Sequence, residues 1–282
     1  MAAEKNSDSP VLVTVKDGVG VVALNRPHRL NALNGRAIAL LSATYAQLDA
    51  DDEVKTIVLT GTGRAFCAGA DLQREGGAFQ APPDRGEYRS SPPRPLAFQI
   101  RKPVIAAING HAIGLGMTLA MHCDLRIVAN EAKWGIVQVR RGVVPDAISH
   151  WTVTRAVGMA KAAEVLLTGR LFAGTEAVEL GVASRSLPAP EVLPAALDMA
   201  RDMARECSPM SMAMSKRILW ASADGAMELI DDMESEAHRI LMGRPDSLEG
   251  GSAALQKRAP QWRSQINQDW PQDGIFHAPE PS

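Results

Sequence analysis

The stretch Pro103 to Ala129 reads PVIAAINGHAIGLGMTLAMHCDLRIVA. Its opening, Pro103 to Ile108, is a short apolar run that predicts a buried strand. Asn109 to Asp124 then reads as a glycine-bearing turn leading into a helix, and Leu125 to Ala129 as another strand. Upstream, Val54 to Thr60 is a second apolar run rich in β-branched residues, followed by the glycine-punctuated turn GTGRAFCAGADL, Gly61 to Leu72. Strand, glycine turn and helix therefore recur, a weak internal repeat of α/β units.

Working outward, Val11 to Val15 and Val19 to Leu24 predict two strands joined by a turn at Lys16-Asp17-Gly18. Asn34 to Asp49 predicts a helix with Asn34 as its N-cap. Residues 73–98, rich in Pro, Gly, Arg and Ser, read as a mobile surface loop. After Ser184 the strand signal fades, and residues 190–242 and 246–258 read mainly as helices. The expected division is a polar, disordered tail over 1–10, an α/β core over 11–189 and a helical oligomerisation region over 190–282. Met199, Met203, Met210, Met212 and Met214 fall in that last region, where adaptable core or subunit-interface packing accounts for them.

With 282 residues the chain suits one large domain or a core with an appendage. A formal net charge of −2 provides no basic field for nucleic acid or an anionic membrane. Cys67, Cys123 and Cys207 match no zinc spacing, and so sparse a set suggests a reducing compartment. There is no apolar run long enough to span a membrane, and MAAEKNSDSP lacks the apolar core of a secretory signal, so the expected location is the cytoplasm.

Two turns carry the chemistry: Cys67-Ala68-Gly69-Ala70-Asp71 and Gly114-Leu115-Gly116. Glycine permits positive φ and close backbone approach, and a helix start offers unpaired N–H groups. Two such turns brought together would aim two N–H donors at one oxygen, an oxyanion hole. The second turn has neither the spacing of a dinucleotide fingerprint nor a P-loop lysine. Taken alone, it reads equally as a plain strand-to-helix connection. Cys67 reads as a small buried residue, and His111 and His122 as local structural residues.

The segments VVALNRPHRLN (21–31), RAFCAGADL (64–72) and AAINGHAIGLGMTLAMHCDLRIV (106–128) together resemble the enoyl-CoA hydratase/isomerase, or crotonase, superfamily. The resemblance continues through AKWG (132–135), TRAVG (154–158), LLTGRLFAGTEAVELGV (166–182) and SLEGGSAALQKRAPQW (247–262). It implies an α/β fold of ββα units wound in a spiral, with C-terminal helices that build trimers, usually paired into hexamers. It also implies an acyl-CoA thioester as ligand, fatty or small organic, with no metal or redox cofactor. By the same resemblance Ala70 and Leu115 supply the oxyanion donors. Ala68, Asp71, Leu72, Gln73 and Gly116 line the CoA site, Arg29 and Leu30 meet the nucleotide end, and Lys257 reaches a CoA phosphate. Each of the basic residues reads equally as a solvated surface charge.

The sequence departs from the family's hydratases where they place two glutamates over the double bond. Thr118 and Gln138 stand at those positions, and neither is an ordinary carboxylate base. Asp146 stands where double-bond-isomerising relatives carry a catalytic aspartate. Its structural reading is the N-cap of a helix starting near Ala147, with His150 one turn on as a possible auxiliary group. The expectation is an isomerase-type enzyme. The rivals are a hydratase with a rebuilt water site and an acyl-CoA binding protein without catalysis.

Overall fold

In a computed structural model, residues 8–72 and 92–276 are described. Ten strands form two sheets among them. The larger sheet contains β1 (Val11–Lys16), β2 (Val19–Leu24), β3 (Thr56–Gly61), β5 (Val104–Ile108), β7 (Leu125–Ala129) and β10 (Arg185–Leu187), in that order. β1 and β2 form the expected antiparallel hairpin, and the remaining neighbours are parallel. Parallel strands are covered on both faces, which is why TIVLTG in β3 and VIAAI in β5 are buried at every position.

The smaller sheet was not legible in the sequence. It pairs β4 (Ala65–Cys67), β6 (His111–Ile113), β8 (Lys133–Gly135) and β9 (Phe172–Ala173), in that order. From β3 on, β3, β5 and β7 enter the large sheet, and each is followed in the chain by a strand of the small one. The chain is therefore the wound ββα repeat that the resemblance implied. β10 corrects the expectation that strands end near Ser184: it adds a short parallel edge beside β7.

Helix α1 (Gly35–Asp49) begins as expected, with the Asn34 side chain accepting from the Ala37 N–H at 2.9 Å. Helix α2 (Leu115–Met121) is buried throughout, and α3 (Ser149–Thr168) and α4 (Gly174–Leu180) follow. Helix α5 (Ala189–Glu206) lies on the large sheet: Val192, Ala196, Ala200 and Ala204 join its core, and the Thr56 hydroxyl donates to the Ala200 carbonyl at 3.1 Å. Helices α6 (Pro209–Ala221), α7 (Met227–Leu241) and α8 (Pro245–Gln256) come next. Met210 and Met214 are buried in a second apolar cluster with Met233 and Ala237, while Met199 and Met203 pack on the main core. Lys216 of α6 ties this part to the sheet, its Nζ bonding the carbonyls of Ala97 and Lys102 and lying 2.8 Å from Asp124 Oδ2.

Ser9 and Pro10, assigned to a disordered tail from the sequence, are held by Asn25, which donates to both of their carbonyls. The loop expectation for 73–98 falls largely outside the described residues, as does Gln73. Among the described residues no helix is long and apolar enough to cross a membrane.

Candidate active site

The two glycine turns leave the carboxyl ends of neighbouring parallel strands, β4 and β6, which pair Cys67 with Ala112. Each turn has a glycine pressed against the other. A Cβ on Gly116 would stand 2.1 Å from the Cys67 carbonyl oxygen. A Cβ on Gly69, whose φ is 103°, would stand 2.7 Å from the Ile113 oxygen and 3.7 Å from the Leu115 nitrogen. The close approach that makes a pair of turns into one site is therefore built into the backbone.

Ala70 is held from the other side by a parallel bridge to Leu33: the Leu33 N–H donates to the Gly69 carbonyl and the Asp71 N–H to the Leu33 carbonyl, both at 2.8 Å. Among the described residues, the N–H groups of Ala70 and Leu115 donate to no protein group. Leu115 opens α2, where an N–H has no partner in its own helix. Gly114 before it has φ 55° and ψ −121°, a conformation suited to glycine. Thr118 is buried, and its hydroxyl donates to the Gly114 carbonyl at 3.3 Å, so it braces the turn.

Two recesses flank the turns, one lined in part by Ala70 and the other by Leu115. A groove of about 610 Å³ is lined by Arg29, Leu30, Ala68, Ala70, Asp71 and Leu72, which brings together most of the residues assigned to CoA. His28, Arg64 and Arg141 also line it and were missed in the sequence. Arg64 adjoins the first turn and Arg141 lies three residues past Gln138, but a lone arginine has no signal separating a ligand contact from a solvated charge. Asp71 pairs with Arg26 at 2.8 Å, which fixes the wall of the groove. On the other side a small apolar pocket of about 20 Å³ is lined by Leu33, Leu41, Tyr45, Leu96, Leu115 and Leu119, among others. Lys257 is not part of the groove; it is exposed at the end of α8.

Gln138 and Asp146 do come together. The Gln138 Nε2–H donates to Asp146 Oδ1 at 2.9 Å, and the same amide lies 3.7 Å from where a Cβ on Gly114 would be. Burial raises the Asp146 carboxyl above its ordinary range, and the Gln138 bond opposes that rise. Asp146 is not the cap of α3. Ala147 and Ile148 both adopt positive φ, 50° and 55°, which delays the helix to Ser149 and puts Ile148 at the cap position. Such backbone in non-glycine residues is strained and needs support. The ring of His122 supplies it, with Nε2–H donating to the Ala147 carbonyl at 2.9 Å. Burial lowers His122 to about 4, so the ring is neutral and Nε2 carries the proton this bond requires. His150 is exposed, and the start of α3 at Ser149 removes the helical spacing that would have set it over Asp146. Burial pushes the Cys67 thiol up to about 12, which leaves no thiolate nucleophile at neutral pH.

The sequence profile described as Enoyl-CoA hydratase/isomerase matches residues 14–265. The chain is 33% identical over 252 residues to the probable enoyl-CoA hydratase echA8 of Mycobacterium bovis, covering 89% of this chain and 97% of the relative. It is 32% identical over 256 residues to the 1,2-epoxyphenylacetyl-CoA isomerase of Escherichia coli, covering 89% and 97%. A crystal structure of a probable enoyl-CoA hydratase/isomerase from Mycobacterium abscessus superposes with a TM-score of 0.86 at 46% identity, covering 90% of this chain and 99% of that one.

Proposed function

This chain belongs to the enoyl-CoA hydratase/isomerase family, and we propose that it moves a double bond within an acyl-CoA thioester in preference to hydrating it. The single observation that carries the preference is the 2.9 Å bond between Gln138 and Asp146, beside the second glycine turn. It puts a carboxylate of raised pKa beside that turn, where the hydratase glutamate positions hold Thr118 and Gln138.

In this reading the thioester carbonyl sits between the N–H groups of Ala70 and Leu115, with CoA in the basic groove. For a 3-enoyl thioester, Asp146 takes a proton from C2. The C2–H electron pair forms the enolate, and its negative charge rests on the carbonyl oxygen. Two preorganised donors stabilise that oxygen more in the enolate than in the ground state, which is what lowers the barrier. When the carbonyl reforms, the electrons move through C2–C3 and C4 takes the proton back from Asp146. A raised carboxyl pKa suits both halves of this exchange, because the group must release the proton it has taken. A second reading, hydration around a rebuilt water site, follows the hydratase names of the mycobacterial relatives.

Incubation with crotonyl-CoA and with a 3-enoyl-CoA tests the proposal. Isomerisation creates the conjugated chromophore from the 3-enoyl compound, hydration removes it from crotonyl-CoA, and a pure binder changes neither. Loss of the crotonyl-CoA chromophore with an inert 3-enoyl-CoA would overturn isomerisation. A trimer, or a hexamer of paired trimers, is part of the same proposal, supported by the apolar side chains exposed along α6, α7 and α8.

A further inference from the structure

The turn that carries Asp146 is strained, and part of what holds it comes from helix α6, beyond the α/β core in the chain. Ala147 and Ile148 both have positive φ, and such a turn persists only where its surroundings over-determine it. Two supports converge on it. On one side His122 donates to the Ala147 carbonyl, and the ring of Phe98 meets the His122 ring edge-on, centroids 5.8 Å apart. On the other side the Trp151 N–H donates to the Ile148 carbonyl at 3.0 Å, in the first turn of α3. Trp220 of α6 joins the two supports. Its ring stacks on Phe98 at 4.8 Å and on Trp151 at 5.6 Å.

Both indoles are themselves fixed. Trp220 Nε1–H donates to Asp124 Oδ1 at 2.6 Å, and Lys216, one helical turn earlier, holds Asp124 Oδ2 at 2.8 Å. Asp124 lies two residues past His122, so α6 is pinned to the segment it supports. Trp151 Nε1–H donates to Asp224 Oδ2 at 2.8 Å, while Arg155 lies over the Trp151 ring and pairs with Asp224. Phe98, Trp151 and Trp220 are half-buried, so the stack sits at the edge of the core.

We infer that Trp220 is a positioning residue for Asp146: through Phe98 and Trp151 it fixes the turn that aims the carboxylate. The helical region then serves the reaction as well as assembly. This rests on the reading of Asp146 as the base. Misplacing a catalytic group by about 1 Å costs roughly 10²-fold in rate, whereas the groove assigned to CoA is lined by none of the three rings. Loss of the stack should therefore slow proton transfer and spare binding.

Turnover of a 3-enoyl-CoA by the full-length protein tests this. Trp220→Leu should lower kcat by roughly 10- to 100-fold while KM stays within about twofold. Trp220→Phe keeps a ring in the stack and should restore most of the turnover. If Trp220→Leu does not fold, Phe98→Leu breaks the same path with α6 and its Asp124 bond intact, and should show the same fall. In an Asp146→Asn background neither leucine substitution should slow the reaction further, because aiming no longer matters once the base is gone. A loss that adds in full to that of Asp146→Asn, a raised KM with unchanged kcat, or a Trp220→Phe variant as slow as Trp220→Leu would overturn the inference. If Asp146→Asn alone is fully active, the assignment of the base fails and the positioning role with it. If Asp146→Asn is slow and Trp220→Leu is not, only the positioning role fails.

Discussion

Gly116 lies so close to the carbonyl oxygen of Cys67 that a Cβ on it would stand 2.1 Å away. The contact joins residues on two different turns, and it sets the distance between the Ala70 and Leu115 donors. Gly116→Ala must move backbone against backbone. Overpacking of this kind costs about 1–3 kcal/mol, and separating the donors should lower turnover by roughly 10²-fold or more. Gly35→Ala, in open space at the start of α1, is the control and should cost nothing. Melting temperatures and isomerisation rates of the two variants check this; equal behaviour would refute the role given to the Gly116 contact.

Ala70→Pro removes one backbone donor outright, because proline has no N–H. Turnover should fall by roughly 10²–10³-fold. Binding is measured alongside, since the bridge to Leu33 flanks the same residue. Unchanged turnover on a confirmed substrate would remove Ala70 from the oxyanion site.

Asp146→Asn keeps the shape of the side chain and discards the base. Proton transfer should fall by roughly 10²–10⁴-fold. The pH dependence has a definite sign. Folded Asp146 holds its proton to higher pH than the unfolded residue. Between the two pKa values the folded state binds more protons, so this group's contribution to stability is lost as pH rises through the raised folded value. The Asn variant lacks that penalty and should be at least as stable as the parent at neutral pH. Activity of the parent should rise with pH through the same raised value, since the base works ionised. A fall in activity that simply tracks a fall in melting temperature would reassign Asp146 to structure.

His122→Phe tests the support beneath Ala147. The folded ring titrates at about 4 against 6.5 when unfolded, so the folded state binds fewer protons between those values. Stability is therefore lost as pH falls through that window, by on the order of 3 kcal/mol for the full shift. The Phe variant should show a flatter profile between pH 4 and 6.5. At neutral pH it should be less stable by roughly 1–3 kcal/mol, because the Ala147 carbonyl loses its donor. Denaturant titrations at pH 7 and pH 4.5 give both numbers; an unchanged slope would show that another group controls acid stability.

Leu219, Leu248, Leu255, Met227 and Met242 are each more than 60% exposed. Apolar side chains repeated along three successive helices are the mark of a covered surface. Light scattering at micromolar concentration should report a trimer or hexamer, and a stable 30.2 kDa monomer would count against assembly.

Much of this was open to reading without coordinates. The β1–β2 hairpin, the Asn34 cap and the apolar runs of β3, β5 and β7 follow from local periodicity and turn chemistry, which act between near neighbours in the chain. The two glycine turns were visible for the same reason. The second sheet was not, because strands of two or three residues are too short to carry a period. The cap expected at Asp146 was displaced by two positive-φ residues that a distant histidine helps to hold, and the helical spacing expected between Asp146 and His150 was lost with it. The sequence by itself therefore determined the repeated units, their glycine turns and the absence of the two glutamates. Only the tertiary structure decided that Cys67 meets Gly116 and that Gln138 meets Asp146. The physical reason is that such contacts join groups far apart or differently turned in the chain, and they exist only once the parallel strands β4 and β6 are paired and the backbone after Asp146 is bent.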